Sequence, residues 1–375
     1  MNKILFLTTQ NILGEIQNGG MQCAQRNWSL LQRYAGKDNL YAGIIWNEGG
    51  KNIDPQYIKY YRRIRNNFEA LFSSIFMTKT YFPFEYKKIR KDIDRIKPDY
   101  LFLDSSLLGK ILKGLNPNIE KIVFFHNIES EYAWHKVKKQ GIYFLPSYIV
   151  SQYNEKKVIQ CADRIICLNA RDNHILEKKY GRLADLILPI SFNDRFDEKR
   201  VVCQAEKNLL FVGSLFPPNY DGIKWFVEEV MSELKDFKLL IVGKDFEQKR
   251  GELERNNVEV IGTVKNPDLY YYQNAVVVMP ILYGDGMKVK TAEAMMFGKT
   301  IFATTEALEG YDIDKILSGI YCCNQKEEFI SGIRRAFKEN KIRAVNYDVR
   351  NYFLENHTID SQFYKLKAFM DGMEL

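Results

Sequence analysis

The residues best able to do chemistry lie in one run, Pro280-Ile-Leu-Tyr-Gly-Asp-Gly-Met-Lys-Val-Lys-Thr-Ala-Glu-Ala-Met-Met-Phe-Gly298. It follows the apolar stretch AVVVMP at 275–280 and precedes TIFATT at 300–305, so it connects two buried strands through a loop and a helix. Gly284 and Gly286 allow a tight turn and close approach of backbone to a ligand. A helix starting near Met287 would aim its unpaired N–H groups at the same spot, where an anion such as phosphate is the natural occupant. Lys288 and Lys290 fall in the first turn, where positive charge works against the helix dipole, and a bound diphosphate would account for them. Asp285 in the loop and Glu293 in the helix can face one pocket, Glu293 accepting from a ribose diol and Asp285 from sugar hydroxyls. The competing reading is an ordinary strand–loop–helix junction with a polar cap and solvated lysines.

Further glycines end neighbouring strands. Phe211-Val-Gly-Ser-Leu-Phe-Pro-Pro-Asn-Tyr-Asp-Gly-Ile-Lys-Trp-Phe226 carries Gly213 and Ser214, and Gly243-Lys244 and Gly262-Thr-Val-Lys-Asn266, with Val264, close two more apolar runs. Strand ends are where ligands gather in open α/β sheets, although each glycine alone reads as a turn. Nearer the N-terminus, Gly19-Gly20 follows the first apolar run and precedes a helix expected near Met21. In Phe124-Phe-His-Asn-Ile-Glu-Ser-Glu-Tyr132, His126 ends a buried strand and is expected to point to a cleft, the alternative being a core histidine bonded to backbone. Glu155 and Asp163, on the helix and strand that follow, read as structural.

The elements that must position these residues alternate. Apolar runs at 4–9, 41–46, 100–104, 122–126 and 164–169 are separated by helical periodicity, and the pattern resumes at 209–214, 239–244, 258–263, 275–280 and 300–305. This predicts α/β architecture with parallel sheets covered on both faces. At 375 residues and 46% hydrophobic content the chain suits two domains. The expected boundaries are 1–191 for the first domain, a linker at 192–207 where periodicity lapses, 208–350 for the second, and 351–375 for a C-terminal helix returning to the first.

Residues 51–100 hold twelve Lys and Arg against six Asp and Glu, or +6 of the chain's net +7, interleaved with eleven Tyr and Phe. Such a segment suits an anionic membrane surface, or else a solvated face above an aromatic core. Nucleic acid is not expected as a partner, because no helix-turn-helix, RNA-binding or zinc module accompanies the charge. The six cysteines lack zinc spacing, and two are adjacent, which argues against a disulfide framework and for a reducing cytoplasm. The apolar start ILFLTT is too short to span a membrane and reads as a strand. Histidines at 126, 135, 174 and 357 form no ligand-spaced set with carboxylates, so no metal is expected.

The run 280–298 resembles the donor-binding signature of retaining glycosyltransferases with two Rossmann-like domains, the GT-B type, in particular family 4. That family carries two acids with seven residues between them, then Ala-Met or Ala-Leu and a Gly, seen here as Asp285, Glu293, Ala294, Met295 and Gly298. The first acid, more often Glu in the family, is here the shorter Asp. The resemblance extends over nearly the whole chain and implies two Rossmann-like domains facing a central cleft. It implies a nucleotide-diphosphate sugar, such as a UDP- or GDP-sugar, as donor, a glycan or lipid-linked acceptor, and no cofactor or metal. In this reading Gly213, Ser214, Gly243, Lys244, Gly284, Gly286 and Met287 surround the donor, backbone near Val264 meets the base, and Glu293 holds the ribose. Gly19 and Gly20 close on the donor phosphate. The catalytic group is His126 at the donor sugar with Asp285, Lys288 and Lys290, the lysines standing in for the Arg and Lys that many relatives place after the first strand of the second domain. Rival readings are an epimerase or phosphorylase on the same fold, or a non-catalytic nucleotide-sugar-binding subunit.

Overall fold

Unbroken apolar runs become strands buried on both faces, which is the pattern a parallel sheet requires. In the computed structural model, which describes residues 2–15, 19–47, 58–202, 206–284 and 286–373, the chain forms two units, Met1–Ile190 with Gln362–Leu375, and Ser191–Ser361. Strands β1 (Ile4–Thr8), β2 (Leu40–Ile45), β3 (Ile58–Tyr61), β4 (Tyr100–Leu103), β5 (Glu120–Phe125), β6 (Arg164–Cys167) and β7 (Leu186–Ile187) form the sheet of the first unit in the order β3-β2-β1-β4-β5-β6-β7. The second sheet holds β8 (Asn208–Val212), β9 (Lys238–Val242), β10 (Val258–Gly262), β11 (Val276–Met279), β12 (Thr300–Ala303) and β13 (Ile320–Cys322), in the order β10-β9-β8-β11-β12-β13. Every pairing between these strands is parallel. Two Rossmann-like sheets, as expected, are therefore present.

The helices of the first unit are α1 (Gly19–Ala35), α2 (Asn67–Ile75), α3 (Glu85–Ile96), α4 (Glu129–Gln140), α5 (Leu145–Cys161) and α6 (Ala170–Tyr180). Those of the second are α7 (Pro217–Trp225), α8 (Arg250–Leu253), α9 (Asp268–Gln273), α10 (Val289–Met296), α11 (Lys326–Lys338) and α12 (Tyr347–Asn356). The last helix, α13 (Ile359–Met370), returns to the first unit from Gln362. There the Arg33 guanidinium lies 3.9 Å over the Phe363 ring and that of Arg164 4.4 Å over Phe369, while Tyr34 Oη donates to Asp371 at 2.8 Å. No helix among the described residues is long and apolar enough to cross a membrane.

The segment expected as a linker begins as part of the second unit. Phe192 is buried and exchanges backbone hydrogen bonds with His357 and Ile359. Asp194 pairs with Arg350, Arg195 with Asp268, and the Tyr272 hydroxyl takes a hydrogen bond from Asp197 N and gives one to the Arg195 carbonyl. Its charged composition resembled solvated chain because the partners lie some seventy to one hundred and fifty positions away. Residues 203–205 lie outside the described residues.

In each sheet the chain leaves the central strand in opposite directions, between β1 and β4 in the first and between β8 and β11 in the second. Connections on either side of such a point open a crevice at the strands' C-terminal ends. In the second unit this edge is drawn tight by Gly222 on α7, where an added Cβ would stand 1.9 Å from the Pro280 carbonyl oxygen. Gly222→Ala is expected to cost about 2 kcal/mol by forcing α7 off the segment after β11. A denaturant midpoint equal to wild type would show that the helix shifts freely.

Candidate functional site

In the second unit, β8 delivers Gly213 and Ser214 and β11 delivers 280–284 to the same edge of the sheet, where 286–288 lead into the next helix. The Gly213 amide bonds to the Val242 carbonyl and Leu215 N to the Lys244 carbonyl, so the loops after β8 and β9 are stitched together. Gly243 has φ +148° and packs so closely on Gly213 that a Cβ would fall 1.6 Å from its carbonyl oxygen; that packing alone demands glycine there. Ser214 and Lys244 are exposed and Val264 is half-buried. Asp285 lies outside the described residues.

Helix α10 begins at Val289, two residues later than its expected start near Met287, with Lys288 as its extended N-cap. Met287 is buried, and the Tyr311 hydroxyl donates to the Lys288 carbonyl at 2.8 Å. Buried Thr291 fixes the first turn by donating to the Ala307 carbonyl at 2.7 Å, and Arg350 Nη1 donates to the Met296 carbonyl at the other end. Both lysines already have acid partners. Lys288 Nζ lies 2.7 Å from Glu306 Oε1 and 2.8 Å from the Gly286 carbonyl, and Lys290 Nζ lies 2.6 Å from Glu293 Oε2. Their presence against the helix dipole is thus balanced within the protein, apart from any ligand.

Glu293 is only 9% exposed, little more than one turn into α10. Its other oxygen lies 3.5 Å from Arg195 Nη2, and Arg195 binds Asp268 through Nε and Nη2 at 3.0 and 3.1 Å. Sequence reasoning missed Arg195, Asp268 and Glu306. Glu306 carried a signal, since it follows the end of β12 by three residues; Arg195 lay in a stretch without periodicity and carried none. The arrangement is a buried carboxylate between two cations beside a helix N-terminus, able to accept hydroxyl donors and to present amides to an anion.

The first unit gathers a second cluster at its own switch point. Thr8 ends β1, Asp104 and His126 each follow their strand by one residue, and Cys23, Arg26 and Asn27 share one face of α1. Asp104 is fully buried and accepts from Thr8 Oγ1 at 2.8 Å and Asn27 Nδ2 at 2.7 Å. His126 Nε2 stands 3.2 Å from Asp104 Oδ1 and 3.1 Å from the Asp104 carbonyl. The Cys23 thiol bonds the ring as well, and Arg26 Nη2 lies 3.2 Å from its sulfur. Burial works against the imidazolium, yet Asp104 and Cys23 outweigh it and hold the pKa of His126 well above the ordinary value. Burial likewise opposes ionisation of the Cys23 thiol, but Arg26 and His126 draw its pKa below the usual range. The structure therefore places His126 in an internal polar network, with only a small part of the ring exposed. Gly19 and Gly20 form the first turn of α1 rather than a loop ahead of a helix at Met21.

Among the described residues no three His, Cys, Asp or Glu side chains gather as a metal-ligating group. An open groove of about 910 Å³, lined by residues including Glu228, Met231, Arg255 and Asn257, lies in the second unit. It borders the connections that enter β9 and β10, the edge of the sheet opposite to the strand ends described above, and we assign it no role.

Residues 206–339 match the family model described as glycosyl transferases group 1. The chain is 25% identical over 288 residues, 68% of its own length and 73% of the relative's, to a 44.6 kDa protein in the cps region of Klebsiella pneumoniae. Its fold is similar to that of sucrose-phosphate synthase from Thermosynechococcus elongatus, at TM-score 0.69 and 14% identity over 99% of this chain and 98% of that one. It is similar also to Anabaena HepE in complex with UDP and glucose, at 0.66 and 12% over all of both chains. A third is WaaG, a glycosyltransferase involved in lipopolysaccharide biosynthesis, at 0.65 and 14% over 98% of this chain and all of that one. The family match falls on the second unit, and the fold with two Rossmann-like domains expected from the sequence is shared with these proteins over the whole chain.

A raised histidine pKa contributes stability that is complete below the unfolded value, about 6.5, and is lost as pH rises through the folded value. In a Cys23→Ser background, which removes the competing thiol, the melting temperature lost on His126→Gln should be greatest near pH 6 and shrink toward alkaline pH. A gap independent of pH would mean that His126 is neutral when folded.

Proposed function

We propose that this chain is a glycosyltransferase that moves a sugar from a nucleotide-diphosphate sugar to a glycan or lipid-linked acceptor, with retention at the anomeric carbon and without a metal. The observation that carries the reading is the buried Glu293 carboxylate on α10, at the edge of the second sheet where ligands of such folds collect. Support comes from the family match, which spans this strand, loop and helix, and from the fold shared with Anabaena HepE, crystallised with UDP and glucose and with UDP-glucose. The cps-region relative and WaaG support a place in polysaccharide or glycoconjugate synthesis, and our reading sets the reaction at the cytoplasmic face of a membrane, where a lipid-linked acceptor would lie.

In this reading Glu293 accepts from the ribose hydroxyls, and the first amides of α10 with Lys288 and Lys290 stabilise charge growing on the diphosphate. The bond from the anomeric carbon to the phosphate oxygen breaks with its electron pair left on the diphosphate. The acceptor oxygen bonds the same face of the sugar, and its proton passes to the departing phosphate. Diphosphate competes with Glu306 for Lys288 and with Glu293 for Lys290, while Arg195 stays on Glu293 and the ribose hydroxyls take up its freed oxygen. Asp285 is assigned to the sugar hydroxyls.

Thermal shift against the common nucleotide sugars should single out one donor, which raises the melting temperature by mass action. Glu293→Ala should lose at least about tenfold in affinity for that donor while remaining folded, a loss of roughly 1.4 kcal/mol. Wild-type affinity in the variant would remove the ribose assignment. His126→Ala is expected to lower kcat and spare nucleotide binding; unchanged turnover would confine His126 to packing.

A further inference from the structure

A helix on a water-soluble face turns its apolar stripe inward, and α2 does the reverse. The one residue it buries is Ser73, while Phe68, Leu71 and Ile75, spaced on a single face, are 80%, 60% and 73% exposed. The helix is well made: Asn66 caps it by accepting from the Glu69 amide, and its inner side is anchored by Phe72, whose ring stacks 6.1 Å from Phe82. The outward face is therefore fixed. Phe76, at the end of α2, and Phe84, 66% exposed and 5.4 Å from Phe82 between ring centroids, extend the apolar surface to the start of α3.

Basic residues border this surface. Arg65 precedes α2, the Lys110 ammonium reaches the Phe76 carbonyl at its far end, and Lys87 and Lys91 are exposed on the first two turns of α3 beyond Phe84. The acids of α2 and of the first turn of α3 are already taken, Glu69 by Arg62 and Glu85 by Lys88. Across 58–100 the chain carries eleven Lys and Arg against five Asp and Glu. An apolar face between cationic borders matches an anionic bilayer, whose acyl region accepts the phenyl and alkyl groups while its headgroups meet the ammonium and guanidinium groups. A second copy of this chain would bring the same cations against one another.

We propose that the outward face of α2, with Phe84 and the lysines of α3, is the surface by which this protein lies on an anionic membrane. It deepens the proposed function, giving the lipid-linked acceptor a place to be met, and it rests on that reading only for this purpose. The surface itself is argued without it.

Flotation of the full chain with vesicles of mixed phosphatidylglycerol and phosphatidylcholine, and with phosphatidylcholine alone, tests it. The wild type should float with the anionic vesicles, more weakly with the neutral ones and less at high salt. The variant Phe68→Ser/Leu71→Ser/Ile75→Ser should bind at least about tenfold more weakly, as should Lys87→Glu/Lys91→Glu. Because these side chains are exposed, both variants should keep the wild-type melting temperature and its shift with the donor nucleotide sugar. Equal flotation of wild type and both variants would overturn the proposal, as would no binding to either vesicle. So would a dimer in sedimentation equilibrium that the serine variant abolishes while vesicles remain unbound, which would make the face a contact between copies. Failure with the nucleotide shift intact would sink this inference alone and leave the proposed function standing.

Discussion

Burying a carboxylate costs several kcal/mol unless cations and donors take the place of water, and Glu293 meets that requirement from two directions. Lys290 reaches it from within the same helix, and Arg195 from a segment nearly one hundred residues earlier that is itself oriented by Asp268. Those pairings fix where the chain enters the second unit, because Asp194 and Phe196 beside Arg195 are bound in turn by Arg350 and packed near Phe297. A single internal charge thus ties the entering segment, α9, α10 and α12 together. Replacing one partner leaves the others with an uncompensated charge, so this cluster holds the fold of the second unit at the very place where the proposed donor would bind.

The first unit solves the same problem with other groups. Asp104, wholly buried, takes hydrogen bonds from Thr8 and Asn27 and faces His126. Cys23 and Arg26, a turn apart on α1, complete the balance, and Arg26 also donates to the carbonyls of Leu188 and Pro189 near the end of the unit. In both sheets the costly charge sits where strand order reverses, the place at which backbone connections part and leave room for side chains. In both, the residues that balance it come from elements remote in sequence. Each network gives its unit a reason to hold one conformation over others.

Parallel strands buried on both faces announce themselves as apolar runs, and β1, β8, β11 and β12 were legible for that reason. β3 and β13 were not: they are short edge strands, IKYY and IYC, paired on one side only, so nothing demands a long apolar run. Gly284, Gly286, Lys288, Lys290 and Glu293 could be placed on one loop and helix from spacing alone. That Lys288 would meet Glu306 could not be read, because the pair depends on how a later loop returns, whereas Lys290 and Glu293, three apart on one helix, are neighbours by spacing. Gly19 and Gly20 resembled a loop because glycine favours loops, yet nothing in glycine forbids the first turn of a helix, where amides are unbonded in any case.

Local pattern determined the alternation of strands and helices, the two-sheet architecture, the strand ends as the region of interest and the basic, aromatic character of residues 51–100. Those properties depend on side-chain period and composition, which are written along the chain. Tertiary structure alone decided that residues 192–202 belong with the second unit, that His126 faces Asp104 and Cys23, and that α2 turns its phenylalanine, leucine and isoleucine outward. A helix of that composition satisfies its own hydrogen bonds whichever face is outermost. Its orientation was set by what Phe72 and Ser73 could pack against, an interaction between distant segments that no local pattern records.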